Sequence, residues 1–141
     1  MCVFCSIVDG KTTASLIHQD EKCLAFMNIR PINEGEFMVI PRDHIDHFLD
    51  LPDELATHIV MVAQRFGRKL QREFKPLRVG YVVHGFGVPH AHLNVVPMHD
   101  PSDIISAKHI VCDGGSFIIS EANISPPQRD ELEAAAKRLA E

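Results

Sequence analysis

Residues 89–97 read Pro-His-Ala-His-Leu-Asn-Val-Val-Pro, a stretch in which polar and apolar side chains alternate. Successive side chains of a β-strand point to opposite faces, so the alternation predicts a strand from about His90 to Val96. Its polar face would carry His90, His92 and Asn94, and its apolar face Ala91, Leu93 and Val95. Burying an unpaired polar group costs about 1–3 kcal/mol, so two imidazoles and an amide in one row need partners. The pattern indicates catalysis or metal binding, with two hydrogen-bonded histidines on an ordinary strand as the alternative.

Two glycines lie just upstream of this strand. Gly85 and Gly87 let the backbone approach a ligand closely and present N–H donors to an anion such as phosphate. A neutral imidazole held beside such donors can attack phosphorus and divide one difficult displacement into two easier ones. The combination predicts a phosphorylated small molecule as ligand and a phosphohistidine-type intermediate.

The remaining elements predict an α+β fold. Apolar residues three or four positions apart indicate one main helix from about Pro52 to Phe74. A second helix is expected to start near Ser125-Pro126 and to run towards Glu141. The other predicted strands are Ala14–His18, Cys23–Asn28, Glu36–Ile40 and Val79–Val83, and a small hairpin pairs His109–Cys112 with Ser116–Ile119. Together they predict an antiparallel sheet of about five strands with one main helix and a C-terminal helical extension.

Composition limits the classes of protein to which the chain can belong. Its 141 residues, 45% of them hydrophobic, are enough for one domain with a single core. The formal net charge of −5 argues against binding DNA or RNA, because phosphate-backbone binding needs clustered Lys and Arg. No stretch approaches the roughly 18 apolar residues of a membrane span, and the N-terminus lacks the pattern of a secretion signal. We therefore expect a cytoplasmic protein.

The four cysteines favour reduced thiols or metal ligands over disulfides in such a protein. Cys2 and Cys5 have the Cys-x-x-Cys spacing of tetrahedral zinc sites, and two histidines would complete the four ligands. Two metal-free thiols are the alternative. Cys23 and Cys112 are expected to be small buried residues, and His18, His58 and His109 to be surface or structural residues.

Several motifs in a common order resemble the histidine triad (HIT) family, whose signature is His-φ-His-φ-His, where φ is apolar, after a glycine-containing loop. Besides the histidine stretch, the chain carries the cysteine pair, the strand over residues 24–28 and the segment over residues 39–44. The resemblance covers roughly residues 2–99. It implies a HIT-like fold, with a nucleotide-binding catalytic domain over 1–100 and an extension over 101–141 packed on the same domain. It also implies a two-fold homodimer formed through the main helix and the adjoining edge strand.

The resemblance assigns roles to individual residues. His92 is the nucleophile that takes the nucleotidyl group from the α-phosphate, and Asn94 holds phosphate oxygens. Asn28 matches the position whose carboxylate side chain binds ribose hydroxyls in the family. The positions around the base are Phe4, Phe26 and Ile29, and the phosphate loop is Gly85 and Gly87 with His84 at the strand end. The ligands of a structural zinc are Cys2, Cys5, His44 and His90, with His47 and His99 as substitutes.

Two residues depart from the family pattern. Asn94 replaces the third histidine, and its amide forms hydrogen bonds but carries no titratable proton near neutral pH. Gly87 stands where hydrolases of the family often place a serine that assists the leaving group. We predict a nucleotide hydrolase or nucleotidyltransferase of the phosphoramidate or dinucleoside polyphosphate class, with hydrolysis favoured over transfer. The alternatives are a zinc-containing nucleotide-binding module with little turnover and a metal-binding structural protein without a nucleotide role.

Overall fold

The computed structural model describes residues 2–104, 110–119 and 124–140. Its elements are α1 (Val3–Val8), β1 (Leu16–Gln19), β2 (Cys23–Met27), β3 (Phe37–Pro41), a short 3-10 helix (Phe48–Asp50), α2 (Asp53–Phe74), β4 (Arg78–Val82), β5 (Leu93–Met98), β6 (Ile110–Asp113), β7 (Ser116–Ile119) and α3 (Arg129–Ala140). Five strands form one antiparallel sheet in the order β1-β2-β3-β5-β4, and β6 pairs with β7. The α+β fold, with one main helix and a C-terminal helix, is confirmed.

The sheet has a hydrophobic cluster on each face. On one face, strand residues such as Ala25, Val39 and Val95 pack with α2 and α3. The buried members of the opposite cluster are Phe4 of α1, Leu24, Phe26, Met38 and Ile40. Because both faces are covered, β2 and β3 are buried at every position. This explains why both strands are continuous apolar runs instead of alternating ones.

The main helix begins and ends close to the predicted positions. Asp53 and Glu54 lie in its first turn, where carboxylates interact favourably with the positive end of the helix dipole. The helix ends at Lys75, whose φ of 50° is left-handed. The buried apolar side chains three or four positions apart along this helix are Ile59, Val62, Phe66 and Leu70. None of the helices in the described ranges is both long and apolar enough to cross a bilayer.

β5 begins at Leu93, later than the predicted start at His90. The ladder between β3 and β5 ends at the pair that includes Leu93. Beyond that pair Pro41 has no backbone N–H to donate. The N–H of Ala91 instead donates to the carbonyl of Ile45, with a nitrogen to oxygen distance of 2.6 Å. The histidines therefore lie in the turn that leads into the strand.

α3 begins at Arg129, whereas the sequence predicted a start near Ser125-Pro126. Pro127 disfavours the helical conformation for the residue before it, so the two consecutive prolines delay the helix. The carboxylate of Glu131 accepts a hydrogen bond from the N–H of Gln128 at 2.9 Å. This contact caps the first turn and fixes where the helix starts.

One side of α3 joins the core beneath the sheet. Its buried residues are Leu132, Ala135, Ala136 and Leu139, and the helix contacts β1, β2 and α2. Glu131, Lys137 and Arg138 are exposed on its other side. Glu133 is half-buried and accepts a 2.8 Å hydrogen bond from the hydroxyl of the buried Ser15.

The small hairpin forms where the sequence predicted it, with Gly114 and Gly115 at its turn. His109, the first residue of the predicted hairpin, lies outside the described residues. Cys23 is fully buried, as expected, but Cys112 is exposed and that expectation was wrong. A two-stranded hairpin is too small to bury its own side chains.

Truncating the buried face of α3 tests whether this helix is part of the cooperative core. Leu139 is fully buried, so Leu139→Ala is expected to lower the free energy of unfolding by about 2–5 kcal/mol. Lys137→Ala, on the exposed side of the same helix, is the matched control and should change it by less than about 0.5 kcal/mol. Urea denaturation measures both values. Equal small effects would mean that α3 does not fold with the rest of the chain.

Candidate functional site

The backbone just before β5 forms a turn that presents the two histidines. The N–H of His90 donates to the carbonyl of Val88 at 2.8 Å. Ala91 packs in the cluster beneath α2, whereas the rings of His90 and His92 contact the ring of Phe4 on the opposite face. The predicted alternation of faces therefore holds, although this segment is not a strand.

His90 is completely buried, and each of its two ring nitrogens faces a different set of polar atoms. The Nε2–H donates to the carbonyl of Pro41 at 3.0 Å. Nδ1 consequently has its lone pair free, and it lies 3.5 Å from Sγ of Cys2 and 3.6 Å from Sγ of Cys5. Burial lowers the pKa of His90, which keeps the ring neutral near pH 7. A neutral imidazole with one N–H anchored on a carbonyl is the usual state of a metal ligand.

The four predicted metal ligands come together between α1 and the end of β3. Nδ1 of His44 lies 3.3 Å from Sγ of Cys5, and the ligand atoms of all four residues lie within 4.8 Å of one another. Two thiols and two imidazoles are a donor set that fits tetrahedral zinc. Desolvation and the adjacent Cys2 thiol raise the pKa of Cys5, so a cation is needed to hold both sulfurs as thiolates. In the described ranges this cluster includes neither His47 nor His99.

His92 is oriented by the residue two positions before it. Its Nδ1–H donates to the carbonyl of His90 at 2.7 Å, which leaves the lone pair on Nε2. The ring meets that of Phe4 edge to face, with centroids 5.5 Å apart. The side chain is half-buried, so Nε2 is held in one orientation beside an apolar wall. This is the arrangement of a nucleophilic imidazole.

A buried carboxylate beside the histidines was missed by the sequence analysis. Glu36 is 2% exposed, and its Oε1 accepts hydrogen bonds from Nδ2 of Asn28 at 2.8 Å and from Nδ2 of Asn94 at 3.2 Å. Its Oε2 accepts the N–H of Ile32 at 2.6 Å. A lone glutamate placed directly before a wholly apolar strand was the available signal. Its partners are distant in sequence, so the local pattern gave no reason to single it out.

Glu36 accepts hydrogen bonds from both amide side chains at the site and so fixes their orientation. The resemblance places Asn28 at the ribose position, where the family has a carboxylate side chain. Asn28 has an amide there, and this amide is hydrogen-bonded to the carboxylate of Glu36. Its Oδ1 accepts the N–H of Arg30 at 2.9 Å. Oδ1 of Asn94 is buried and has no hydrogen-bond partner within the described residues. Such an acceptor costs about 1–3 kcal/mol until a donor reaches it.

The predicted base-binding residues differ in exposure. Phe4 and Phe26 are buried and meet edge to face with centroids 5.6 Å apart. Phe4 also contacts the ring of His92, so this aromatic pair adjoins that histidine. Ile29 is 54% exposed at the end of β2. The structure thus brings two of the three positions together behind the histidine.

The loop that carries the two glycines is exposed. Gly85 has a φ of 81°, which other residues rarely adopt, whereas Gly87 has no such requirement. The rings of His84 and Phe86 lie 5.0 Å apart, and Phe86 is 86% exposed. Val88, at the end of the loop, packs on the Phe4 side of the sheet and ties the loop to the histidine turn.

A cavity of about 310 Å³ lies between the loop after β2 and the start of α3. Its walls include Asn28 and three carboxylates, those of Glu34, Glu36 and Glu131. His92 is not part of these walls. The cavity therefore meets the site at Asn28 and Glu36 and does not reach His92.

Comparison with known proteins gives consistent matches. The chain is 29% identical over 107 residues to "Protein hit" of Bacillus subtilis (strain 168), which covers 72% of this chain and 74% of that protein. A Zn-bound histidine triad family protein from Mycobacterium smegmatis aligns with a TM-score of 0.74 and 28% identity, over 99% of this chain and 90% of that one. A HIT family hydrolase from Legionella pneumophila Philadelphia 1 aligns with a TM-score of 0.60 and 28% identity, over 68% and 91%.

The family itself is identified over the part of the chain that carries the site. The HIT domain matches residues 9–100, more than half of the sequence and all of the sheet described above. This match, the five-stranded antiparallel sheet and the paired histidines before β5 agree. The chain belongs to the HIT domain family.

Proposed function

We propose that the chain is a nucleotide hydrolase or nucleotidyltransferase that acts at the α-phosphate through a covalent intermediate on His92. The observation that carries the proposal is the 2.7 Å hydrogen bond from Nδ1–H of His92 to the carbonyl of His90. It leaves Nε2 unprotonated and oriented for attack. The proposed substrates are nucleoside phosphoramidates or dinucleoside polyphosphates. Membership of the HIT family and the likeness to a Legionella protein described as a HIT family hydrolase support the assignment.

The reaction consists of two displacements at one phosphorus atom. First, the lone pair of His92 Nε2 forms a bond to the α-phosphorus, and the leaving group departs with the electrons of its own bond to phosphorus. The carbonyl of His90 stabilises the positive charge that develops on the ring. Second, water or another acceptor attacks the phosphorus and releases its proton to solvent, and the electrons of the N–P bond return to Nε2. Water gives hydrolysis, and a different acceptor gives transfer.

The polar group around Glu36 determines how the nucleotide is placed. A buried carboxylate repels phosphate, so we place the ribose hydroxyls at Asn28 and Glu36 and the phosphates towards the glycine loop. Neither Asn94 nor Gly87 carries a titratable proton for the leaving group. Substrates with weakly basic leaving groups should therefore react fastest.

The cluster of two cysteines and two histidines is proposed to hold a structural zinc. When bound, the ion supplies a rigid four-coordinate link and no water activation, because all four positions are filled by protein. His90 is both a ligand and the acceptor for His92, so the cluster orients the nucleophile. It also fixes α1, which brings Phe4 against His92.

We also propose a homodimer formed through α2 and the edge strand β4. In the part of the chain that the structure describes, β4 lies at the edge of the five-stranded sheet, and its Tyr81 hydroxyl donates to Gln64 of α2. Exposed apolar side chains continue across both elements, at Met61 of α2 and at Val83 just after β4. The net charge of −5 and the four free cysteines support a cytoplasmic protein without a nucleic-acid partner.

A zinc-containing nucleotide-binding module with little turnover is the second candidate. It is favoured by Asn94, which replaces the third histidine, and by Gly87, which has no hydroxyl. Both residues remove groups that assist departure of the leaving group. Nucleotide binding without an adduct or a product would identify this second function.

A covalent adduct on His92 is the direct test of the proposed reaction. Intact-mass spectrometry after brief incubation with an adenosine phosphoramidate should show one added nucleotidyl group. His92→Ala should lose the adduct and reduce turnover at least about a thousandfold, because the nucleophile is gone. His99→Ala, which changes an exposed histidine, is the matched control and should keep both. An adduct that persists in His92→Ala would contradict the assignment.

Removing one ligand tests the proposed zinc. Cys5→Ser should lose one equivalent of zinc per chain, measured by native mass spectrometry, and should lower the melting temperature. It should also reduce turnover, because His90 and α1 are no longer held. An unchanged zinc content would show that these residues do not bind the ion.

A charge introduced on α2 tests the dimer. Met61→Glu is expected to convert a dimer into a monomer in analytical ultracentrifugation, because it buries a carboxylate in the proposed interface. Leu49→Glu, at another exposed apolar position, should leave the dimer intact. A wild-type chain that is monomeric at tens of micromolar would overturn the proposal.

A further inference from the structure

A second cluster of ligand-type side chains lies on the other side of the sheet from His92. His18 is in β1, Asp20 is in the turn after it, and Cys23 opens β2. His58 reaches the same point from the N-terminal half of α2. The ligand atoms of His18, Asp20 and Cys23 all lie within 4.8 Å of one another.

The carboxylate of Asp20 is held in a fixed orientation by the backbone. Its Oδ1 accepts the N–H groups of Lys22 at 2.8 Å and of Cys23 at 2.9 Å. The side chain therefore directs Oδ2 towards the two imidazoles. Nε2 of His18 lies 2.9 Å from Oδ2, and Nε2 of His58 lies 2.8 Å from it.

Three potential donors converge on this one oxygen. Besides the two imidazoles, Sγ of Cys23 lies 3.7 Å from Oδ2 of Asp20. A carboxylate oxygen offers about two lone-pair sites, so three N–H or S–H donors exceed its capacity. The same four side chains are all satisfied when a cation lies among them, since each then supplies one lone pair.

The distances are close to those of a tetrahedral metal site. Metal bonds of about 2.0–2.1 Å to nitrogen and oxygen and about 2.3 Å to sulfur imply roughly 3.3 Å between nitrogen and oxygen and roughly 3.5 Å between sulfur and oxygen. The corresponding distances to Oδ2 of Asp20 are 2.8 and 2.9 Å for the imidazoles and 3.7 Å for the thiol. The three distances to Oδ2 thus differ from tetrahedral values by about half an ångström or less. His58 is not among the residues whose ligand atoms all lie within 4.8 Å of one another, so its ring has to move closer to His18 and Cys23 to complete the set.

We propose that His18, Asp20, Cys23 and His58 form a second metal site, which binds a divalent transition metal of the zinc type. Imidazole and thiolate ligands favour zinc or cobalt over magnesium or calcium, which prefer oxygen. Thiolate and carboxylate together carry two negative charges, so the bound dication leaves this half-buried site neutral. The site joins the β1–β2 hairpin to α2 and does not touch the proposed catalytic residues.

The protonation states fit this assignment. Burial opposes ionisation of Asp20, but hydrogen bonds from His18, His58 and two backbone N–H groups hold its pKa well below the usual range. Burial and the adjacent Asp20 raise the pKa of Cys23 to about 12. Metal binding therefore releases one proton from the Cys23 thiol to solvent. The two histidines bind as neutral rings.

The test is the number of metal ions bound by the full chain. We expect two zinc ions per wild-type chain by native mass spectrometry with elemental analysis. His58→Gln and His18→Gln should each retain one ion and weaken binding of the other about a hundredfold or more. Glutamine keeps an N–H donor for Asp20, so the hairpin stays attached to α2. His47→Gln, at a histidine with a 75% exposed side chain, is the control and should bind two.

Cadmium NMR of the wild-type chain provides a readout that needs no variant. Two signals are expected, one from a site with two sulfurs and one from a site with a single sulfur. An ion that depends on His58 but not on Cys5 would support this site even if the zinc proposed between α1 and β3 were absent. A wild-type chain that binds one ion and loses it in Cys5→Ser overturns the second site. Two ions retained in both His18→Gln and His58→Gln would do the same.

Discussion

The hydrogen bond from the ring of His92 to the backbone carbonyl of His90 links every part of the proposed site. It selects the tautomer in which Nε2 has a free lone pair. The carbonyl is itself fixed, because the ring of His90 is anchored on Pro41 and the next N–H, that of Ala91, is anchored on Ile45. The orientation of the nucleophile therefore depends on the buried segment around it and on the ligand cluster that includes His90.

The two-sided burial of the sheet explains how a short N-terminal helix comes to lie against the proposed catalytic histidine. α2 and α3 cover one face and leave the other to α1, whose Phe4 packs on Phe26, His90 and His92. A six-residue helix has little stability of its own, so its position depends on tertiary contacts. Cys5 of that helix and Cys2 at its N-cap lie next to two histidines from elsewhere in the chain and provide such contacts. The proposed zinc cluster and the ring of Phe4 beside His92 therefore form one structural unit.

The sequence patterns predicted features that depend on neighbouring residues and missed contacts between residues that are distant in the chain. The alternation around His92 and the spacing of Cys2 and Cys5 are local, and the structure places those side chains as the patterns suggested. The start of β5 was predicted too early. The N–H of Ala91 donates to the carbonyl of Ile45, which belongs to another segment, and not to a neighbouring strand. Glu36 accepts a hydrogen bond from Asn94, 58 positions further along the chain, and a repeating pattern of neighbouring residues cannot predict such a contact. In the cluster at Asp20, His18 and Cys23 are close in sequence, and only His58 comes from a distant segment.

Nitrogen NMR of His92 in the free protein tests the central claim most directly. We expect the neutral ring to carry its proton on Nδ1, where the carbonyl of His90 accepts it, and to leave Nε2 bare. The signals would be assigned by their loss in His92→Ala. A neutral ring that carries its proton on Nε2 would contradict the claim that this backbone contact orients Nε2 of His92 for attack.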